Sequence, residues 1–409
     1  MRHERKIFAA VAAAALLIGA APAARADGWI ASWGASDAFP VGQDFNYQTL
    51  RQIVRLSAGG KQVRVRFSDE TGYYPLVIGA AHIAKPASDE PTGAIDPATD
   101  HALTFGGLAG ITLPPGAAAL SDPVDIEAAP LSKLAISLFI TRRTGPSVFH
   151  RDGQATAQIS GDGDFTAAPS IPSPKTSNSR FFIGEVDVEA RGQPAVVVAL
   201  GDSITDGYRS EVDANHRWPD RLAERLAARP NAEPLGVVNA GISGNRILHD
   251  HPEDMFGPSA LARLDRDVLS VPGLRWVVLM EGINDIGHPT GAGLSEQDVS
   301  ADEIIAGMKQ IIARVHDRGA KIYGVTLTPY EGTTFHGYFQ PAGEAKREAV
   351  NAWIRSGGSF DAVIDFDAAV RDPDHLTRIR PDYDVGDHLH PNDAGYRAMG
   401  DAVDLKLFE

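Results

Sequence analysis

Three side chains from two distant parts of the chain have the right types to activate a hydroxyl together. Ser203 lies in "VVVALGDSITDGY", and Asp387 and His390 lie in "GDHLHPNDAGY". A serine hydroxyl is a poor nucleophile at neutral pH. It needs a base within hydrogen-bond reach, and that base needs an orienting carboxylate. His390 is the candidate base and Asp387 the candidate orienter, because D-x-x-H spacing lets one turn of chain bring both side chains together. Acyl transfer also needs donors aimed at the developing oxyanion. The candidates are the Ser203 N–H, the Gly244 N–H in "NAGISGN" and the Asn284 side-chain amide in "GIND".

Each cluster follows, or lies within reach of, an apolar run. From Ala195 onward such runs alternate with helical patterns. "AVVVAL", "LGVVNAG", "RWVVLME", "KIYGVTLTP" and "FDAVIDF" read as strands. "RWPDRLAERLAAR" spaces Trp218, Leu222 and Leu226 for a helix. "ADEIIAGMKQIIARVHDRG" puts Ile304, Ile305, Met308, Ile311, Ile312 and Val315 on one stripe and stops at Gly319. "EAKREAVNAWIRSGG" is a further helix. This alternation predicts an α/β domain with a parallel sheet covered on both faces. Ligands of such sheets sit at the carboxyl ends of the strands, where these polar clusters fall.

The front half has a different rhythm. "KQVRVRFSD" alternates strictly, with Val63, Val65 and Phe67 on one face. "LRQIVRLSAGGKQVRVRF" reads as a hairpin turning at Gly59-Gly60. Further strand candidates and Gly/Pro punctuation predict an all-β sandwich or jelly-roll-like domain. "AAPSIPSPKTSNS" is either a linker or a long sandwich loop. Since "FFIGEVDVEA" follows it, the expected boundaries are a signal peptide over 1–26, a β-domain over 27–193 and an α/β domain over 194–409.

The signal reading rests on the basic "MRHERK", the short apolar "IFAAVAAAALLIGAA" and the small residues of "AARA", with cleavage after Ala26. The expected location is therefore secreted or periplasmic, with no membrane insertion after cleavage. The chain has no cysteine, which excludes disulfides, thiol nucleophiles and cysteine metal sites. Its formal charge is −15, and removing the signal, with Arg2, Arg5, Lys6 and Arg25 against Glu4, makes the remainder more acidic. An acidic surface repels nucleic acid and anionic lipid, so neither is an expected partner.

The four blocks "GDSITDG", "NAGISGN", "GIND" and "DHLHPN", in this order, resemble the GDSL or SGNH hydrolase family over Ala195 to the C-terminus. The more familiar G-x-S-x-G signature of α/β-hydrolases is absent. The resemblance implies a flavodoxin-like α/β/α core and a serine esterase or acylhydrolase that needs no metal or organic cofactor. It implies Ser203 as nucleophile, Asp387 and His390 as its partners, and Gly244 and Asn284 as oxyanion donors. "WIASWGAS" and "LRQIVRLSAGGKQVRVRFSDETG" are similar to the N-terminal β-module of some secreted bacterial members, which are often associated with carbohydrate esters. The expected substrate is a small-molecule or glycan ester, with acetyl as the acyl group. The alternatives are a lipase or arylesterase of broader acyl range, an acetyltransferase using the same residues, and a carbohydrate-binding protein.

Neighbouring residues have plainer readings. Asp202 is expected to accept loop N–H groups, Gly241 to allow a tight turn, Asp285 to cap a helix and Asn392 to cap "DAGYRAMGDAV". His388 is expected to flank the cleft. His249, His251, His288 and His336 are loop histidines that shape a pocket or are simply solvated. "HDHPED", with His249, Asp250, His251 and Asp254, is a weak metal-site pattern, and "SGDGDF" reads as a turn. Tyr330, Phe335, His336, Tyr338 and Phe339 form either a substrate-facing wall or ordinary loop packing.

Overall fold

Alternate side chains of the Ala195–Gly201 strand point to opposite sides, and both sides are buried. Val196, Val198 and Leu200 pack into one cluster with Ile304, Met308 and Ile311. Ala195, Val197 and Ala199 pack into another with Trp218, Leu222, Tyr396 and Met399. A strand covered on both faces needs an unbroken apolar run, which is what "AVVVAL" provides. The computed structural model describes residues 28–230, 233–250 and 255–409. The expected signal peptide and its cleavage point lie outside the described residues.

Five parallel strands form the sheet, in the spatial order 235–241, 195–201, 274–280, 321–325, 362–364. The chain therefore starts in the interior, goes to one edge, then crosses back and runs to the other edge. This is the flavodoxin-like order, and it opens a crevice between the carboxyl ends of the 195–201 and 274–280 strands. Helices Trp218–Ala227 and Asp393–Ala402 cover one face. Helices Ala301–Asp317 and Pro341–Ser356 cover the other. The first of these starts at a reciprocal Ser300–Glu303 capping box and runs into Gly319, whose φ of 72° ends it. No described helix is long and apolar enough to cross a membrane.

Besides a two-stranded pair, Phe149–His150 with Arg180–Phe181, the front half has two antiparallel sheets over one core. One has the order 28–34, 183–190, 60–68, 118–120; the other runs 175–177, 157–162, 48–55, 133–140, 76–84, 101–103. The predicted hairpin is not formed. Gln48–Arg55 pairs within the second sheet and Gly60–Ser68 within the first. The two strands instead bury their apolar faces in the same core, Leu50 and Val54 with Val63, Val65 and Phe67. Ser32 holds the crossing: its carbonyl accepts from Ser57 N and Oγ at 2.8 and 2.6 Å, and its Oγ accepts from Ala58 N at 3.0 Å. Alternation told which face is buried, not which strand is the hydrogen-bonded neighbour. The Pro/Ser-rich stretch is a sandwich loop, since Lys175–Ser177 within it pairs with Ala157–Ile159.

The halves share one core. Ile30, Ala31 and Trp33 of the first strand lie in the same cluster as Val196, Val198 and Val238. Ala31 N also donates to Pro272 O at 3.1 Å. Gly236 permits this approach, because a Cβ there would meet Ala31 O at 2.1 Å.

Candidate active site

The turn after the Ala195–Gly201 strand presents Ser203. Asp202 Oδ1 accepts from Ile204 N at 2.9 Å and caps the short helix Ser203–Asp206, as its plain reading expected. Gly207, at φ 89°, ends that helix with its N–H on Ser203 O at 2.9 Å. Gly201 has no room for a side chain: a Cβ would lie 2.5 Å from Met280 O on the neighbouring strand. Backbones can thus approach closely under the serine.

His390 reaches Ser203 across 187 positions of sequence, with Nε2 2.8 Å from Oγ. On its other side Nδ1 lies 2.9 Å from Asp387 Oδ2. Asp387 Oδ1 accepts from Leu389 N at 3.0 Å and His390 N at 2.9 Å, which locks the D-x-x-H turn. Burial alone would raise the Asp387 pKa. The bonds and charge of His390 and the two N–H groups outweigh it, and the net shift is downward. Tyr208 packs against the imidazole with ring centroids 4.6 Å apart.

His388 is turned away. It has φ 59°, is 52% exposed at its side chain, bonds Asp384 through Nδ1 and is not among the cleft-lining residues. The expectation that it flanks the cleft is corrected: the positive φ points consecutive side chains of this turn in different directions. Asn392 caps the following helix through Gly395 N at 3.0 Å, as expected.

The other predicted donors converge on the same crevice. Asn284 follows the Leu274–Met280 strand in the helix Ile283–Gly291. Its Nδ2 donates to Asn245 O at 2.9 Å, and its Oδ1 accepts from Tyr338 OH at 2.7 Å. Gly244 has φ 81°, and a Cβ there would lie 2.4 Å from the Phe256 ring. The Ser243 N and Oγ beside it both donate to Asp206 Oδ2, at 3.0 and 2.8 Å. Buried Arg263 ties the strand ends together, donating to Gly201 O at 3.0 Å, Ala240 O at 2.7 Å and Asn245 Oδ1 at 2.9 Å. Ser203, Gly244, Asn284 and His390 all line one cleft of about 510 Å³.

Two plain readings change. Asp285 is not a cap: it lies inside the helix and accepts from Ile247 N at 2.8 Å and Leu248 N at 3.0 Å, anchoring the loop after Gly244. Gly241 makes no positive-φ turn; it clears the Asp206 N, which a Cβ would meet at 2.3 Å. Beneath the serine, burial lifts the Asp202 pKa to about 7. Burial and the nearby Asp202 charge push the carboxyl of fully buried Glu281 well above its ordinary range.

Of the predicted wall, Phe335, His336 and Tyr338 line the cleft, while buried Tyr330 packs edge-on to Phe339 at 5.0 Å. His288 also lines it. In "HDHPED", Asp250 Oδ1 accepts from Ser259 N at 2.7 Å, and His251 and Asp254 lie outside the described residues. "SGDGDF" turns with Asp164 Oδ1 accepting from Thr166 N at 2.9 Å. Sequence reasoning missed Arg151, Tyr208 and Phe256 on the cleft wall and Asp206 and Arg263 behind it.

A serine–histidine–aspartate chain at the switch point of an open parallel sheet, faced by clustered N–H donors, is the equipment of a serine hydrolase. Residues 199–398 match the GDSL-like lipase/acylhydrolase family, and that part of the chain is a domain of this family. It is similar to the solved aryl esterase of M. smegmatis, at 20% identity and TM-score 0.39, covering 51% of this chain and 95% of that one. It is similar to a carbohydrate acetylesterase from Sinorhizobium meliloti, at 18% identity and TM-score 0.41, covering 52% and 98%. A GDSL-like lipase from Bacteroides thetaiotaomicron VPI-5482 is similar at 21% identity and TM-score 0.38, covering 51% and 84%. No curated protein matches the chain.

Proposed function

We propose that this chain is an exported serine esterase that removes small acyl groups, acetyl above all, from carbohydrate through an acyl-enzyme. The observation that carries the reading is the unbroken hydrogen-bonded run from Ser203 Oγ through His390 to Asp387, at 2.8 and 2.9 Å. Ser203 Oγ attacks the ester carbonyl carbon as His390 Nε2 takes its proton. Asp387 holds the imidazole in register and stabilises its positive charge. The Ser203 and Gly244 N–H groups and the second Asn284 amide hydrogen receive the oxyanion. As the tetrahedral adduct collapses, His390 returns the proton to the departing alcohol oxygen. Water then attacks the acyl-serine by the same route and releases the acid.

Two features support a small acyl group. Phe256 closes the space over Gly244, and Tyr338 is bonded to Asn284, so rings back two of the donors. A sugar alcohol suits the open side, where Phe335, 42% exposed, stands 5.9 Å centroid-to-centroid from His390. Such a ring offers a flat apolar face to a pyranose. The test assays the protein and Ser203→Ala on aryl esters of increasing acyl length and on acetylated polysaccharide. Acetate release that vanishes in Ser203→Ala is expected. Turnover that survives the substitution overturns the mechanism, and a preference for long acyl chains overturns the acyl assignment.

A further inference from the structure

His150 belongs to the β-rich half yet touches the nucleophile block. It sits on the short strand Phe149–His150, which pairs with Arg180–Phe181. Its Nδ1 lies 2.9 Å from Ser36 O and its Nε2 2.9 Å from Asp206 Oδ1. The ring is buried. Both partners are acceptors, so both nitrogens carry hydrogen. Burial alone would lower the His150 pKa, but the Asp206 charge and the two hydrogen bonds outweigh it, and the net shift is upward. The other oxygen of Asp206 is the one that holds Ser243 N and Oγ.

We infer that His150 is a positioning residue: it fixes Asp206 from the β-rich half, and through Asp206 it fixes the Ser243–Gly244 turn that presents the Gly244 N–H. The inference rests on the reading of Ser203 and Gly244 given above. Two further contacts from the same segment act alike. Arg151 lines the cleft with its guanidinium 4.8 Å from the centre of the Phe256 ring, the ring that packs on Gly244. Thr156 N and Oγ1 donate to Asp213 at 2.7 and 2.6 Å, holding the loop that follows Ser203. The β-rich half thus builds the rear of the oxyanion site. Without the His150 contact Asp206 keeps only its Ser243 side, and the turn is free to shift by the fraction of an ångström that oxyanion geometry does not tolerate.

The experiment uses the full-length protein with His150→Phe, which keeps ring volume but donates to nothing, and His150→Gln, which restores an N–H near the Nε2 position. kcat and KM are measured on an aryl acetate, and Ser203 labelling is timed with an aryl phosphonate. His150→Phe is expected to lower kcat by about 10- to 100-fold and to slow labelling alike, with KM within about threefold. His150→Gln is expected to recover most of that loss. If His150→Phe does not fold, Ser243→Ala, which removes one of the two Ser243 donors to Asp206, is expected to lower kcat at unchanged KM. Wild-type kcat in folded His150→Phe or in Ser243→Ala, or a His150→Gln as impaired as His150→Phe, overturns the inference. A wild-type protein that takes no label at Ser203 overturns the nucleophile assignment itself, so the two failures are distinguishable.

Discussion

Tyr338 donates its hydroxyl hydrogen to Asn284 Oδ1 at 2.7 Å, and that bond decides which way the amide faces. With Oδ1 occupied, the NH₂ group points to Asn245 O and to the cleft. Tyr338→Phe removes the constraint without emptying the wall. The expected result is a kcat about tenfold lower, against a loss of about 10²–10³ for Asn284→Ala, which deletes the donor. Because both changes act on one group, the double variant should be no slower than Asn284→Ala alone. Steady-state kinetics on an aryl acetate checks this, and additive losses would separate Tyr338 from the oxyanion site.

Glu281 makes stability depend on pH. Burial and the Asp202 charge raise its pKa well above 4.5 in the folded chain. From pH 4.5 upward the unfolded chain releases a proton that the folded chain keeps. The folded state binds more protons there, so stability falls as pH rises toward the raised folded value. Glu281→Gln carries no proton to lose, and its amide can donate to Asp202. The melting temperature of Glu281→Gln minus that of wild type should therefore grow between pH 5 and pH 8.5. A difference that stays constant over this window would show that Glu281 does not hold the proton.

Gly244 is constrained by both backbone and space. At φ 81° an L side chain costs on the order of 1–2 kcal/mol, and its Cβ would collide with the Phe256 ring at 2.4 Å. Gly244→Ala should lower urea stability by about 1–3 kcal/mol. It should also reduce kcat by at least about tenfold as the N–H swings off the oxyanion. Urea titration and kinetics on the same sample check both, and an alanine variant with full turnover would remove Gly244 from the donor set.

What could be read from the sequence was what local pattern determines. The apolar run "AVVVAL" needs two covered faces, so the central strand and the polar turn after it were legible. The Asp387–His390 spacing was legible because one turn of chain closes it. The front-half hairpin was misread because Val63, Val65 and Phe67 advertise a buried face equally well to a hydrogen-bonded neighbour and to a facing sheet. His150 and Arg263 carried no signal, since each acts through a partner set only by tertiary packing, Asp206 lying 56 positions from His150; Tyr338 stood out as an aromatic of the loop, but its bond to Asn284, 54 positions away, did not.

Arg263 shows how much depends on such a partner. Besides its three bonds to the strand ends and Asn245, its guanidinium lies 3.0 Å from Asp267 Oδ2, and the side chain is buried. Lysine keeps the charge but cannot reproduce a planar fork that serves five acceptors at once, Ser36 Oγ at 3.3 Å among them. Arg263→Lys should strip a donor from the Ala240 carbonyl and leave Gly201 O with Ile242 N alone, at a cost of about 1–3 kcal/mol. Asp267 retains Arg266, whose Nε is 2.5 Å away, so the buried carboxylate is not orphaned and the variant should still fold. Asn245 loses the donor to its Oδ1, however, its side chain keeping only the Nδ2 bonds to Phe256 O and Pro258 O, and Asn245 O is what Asn284 Nδ2 donates to. The expected outcome is a folded Arg263→Lys protein with a lowered melting temperature and kcat reduced more than KM is raised. Circular dichroism melts with kinetics on the same preparation test this. A variant that melts early yet turns over at the wild-type rate would confine Arg263 to stability and cut its link to the oxyanion donors.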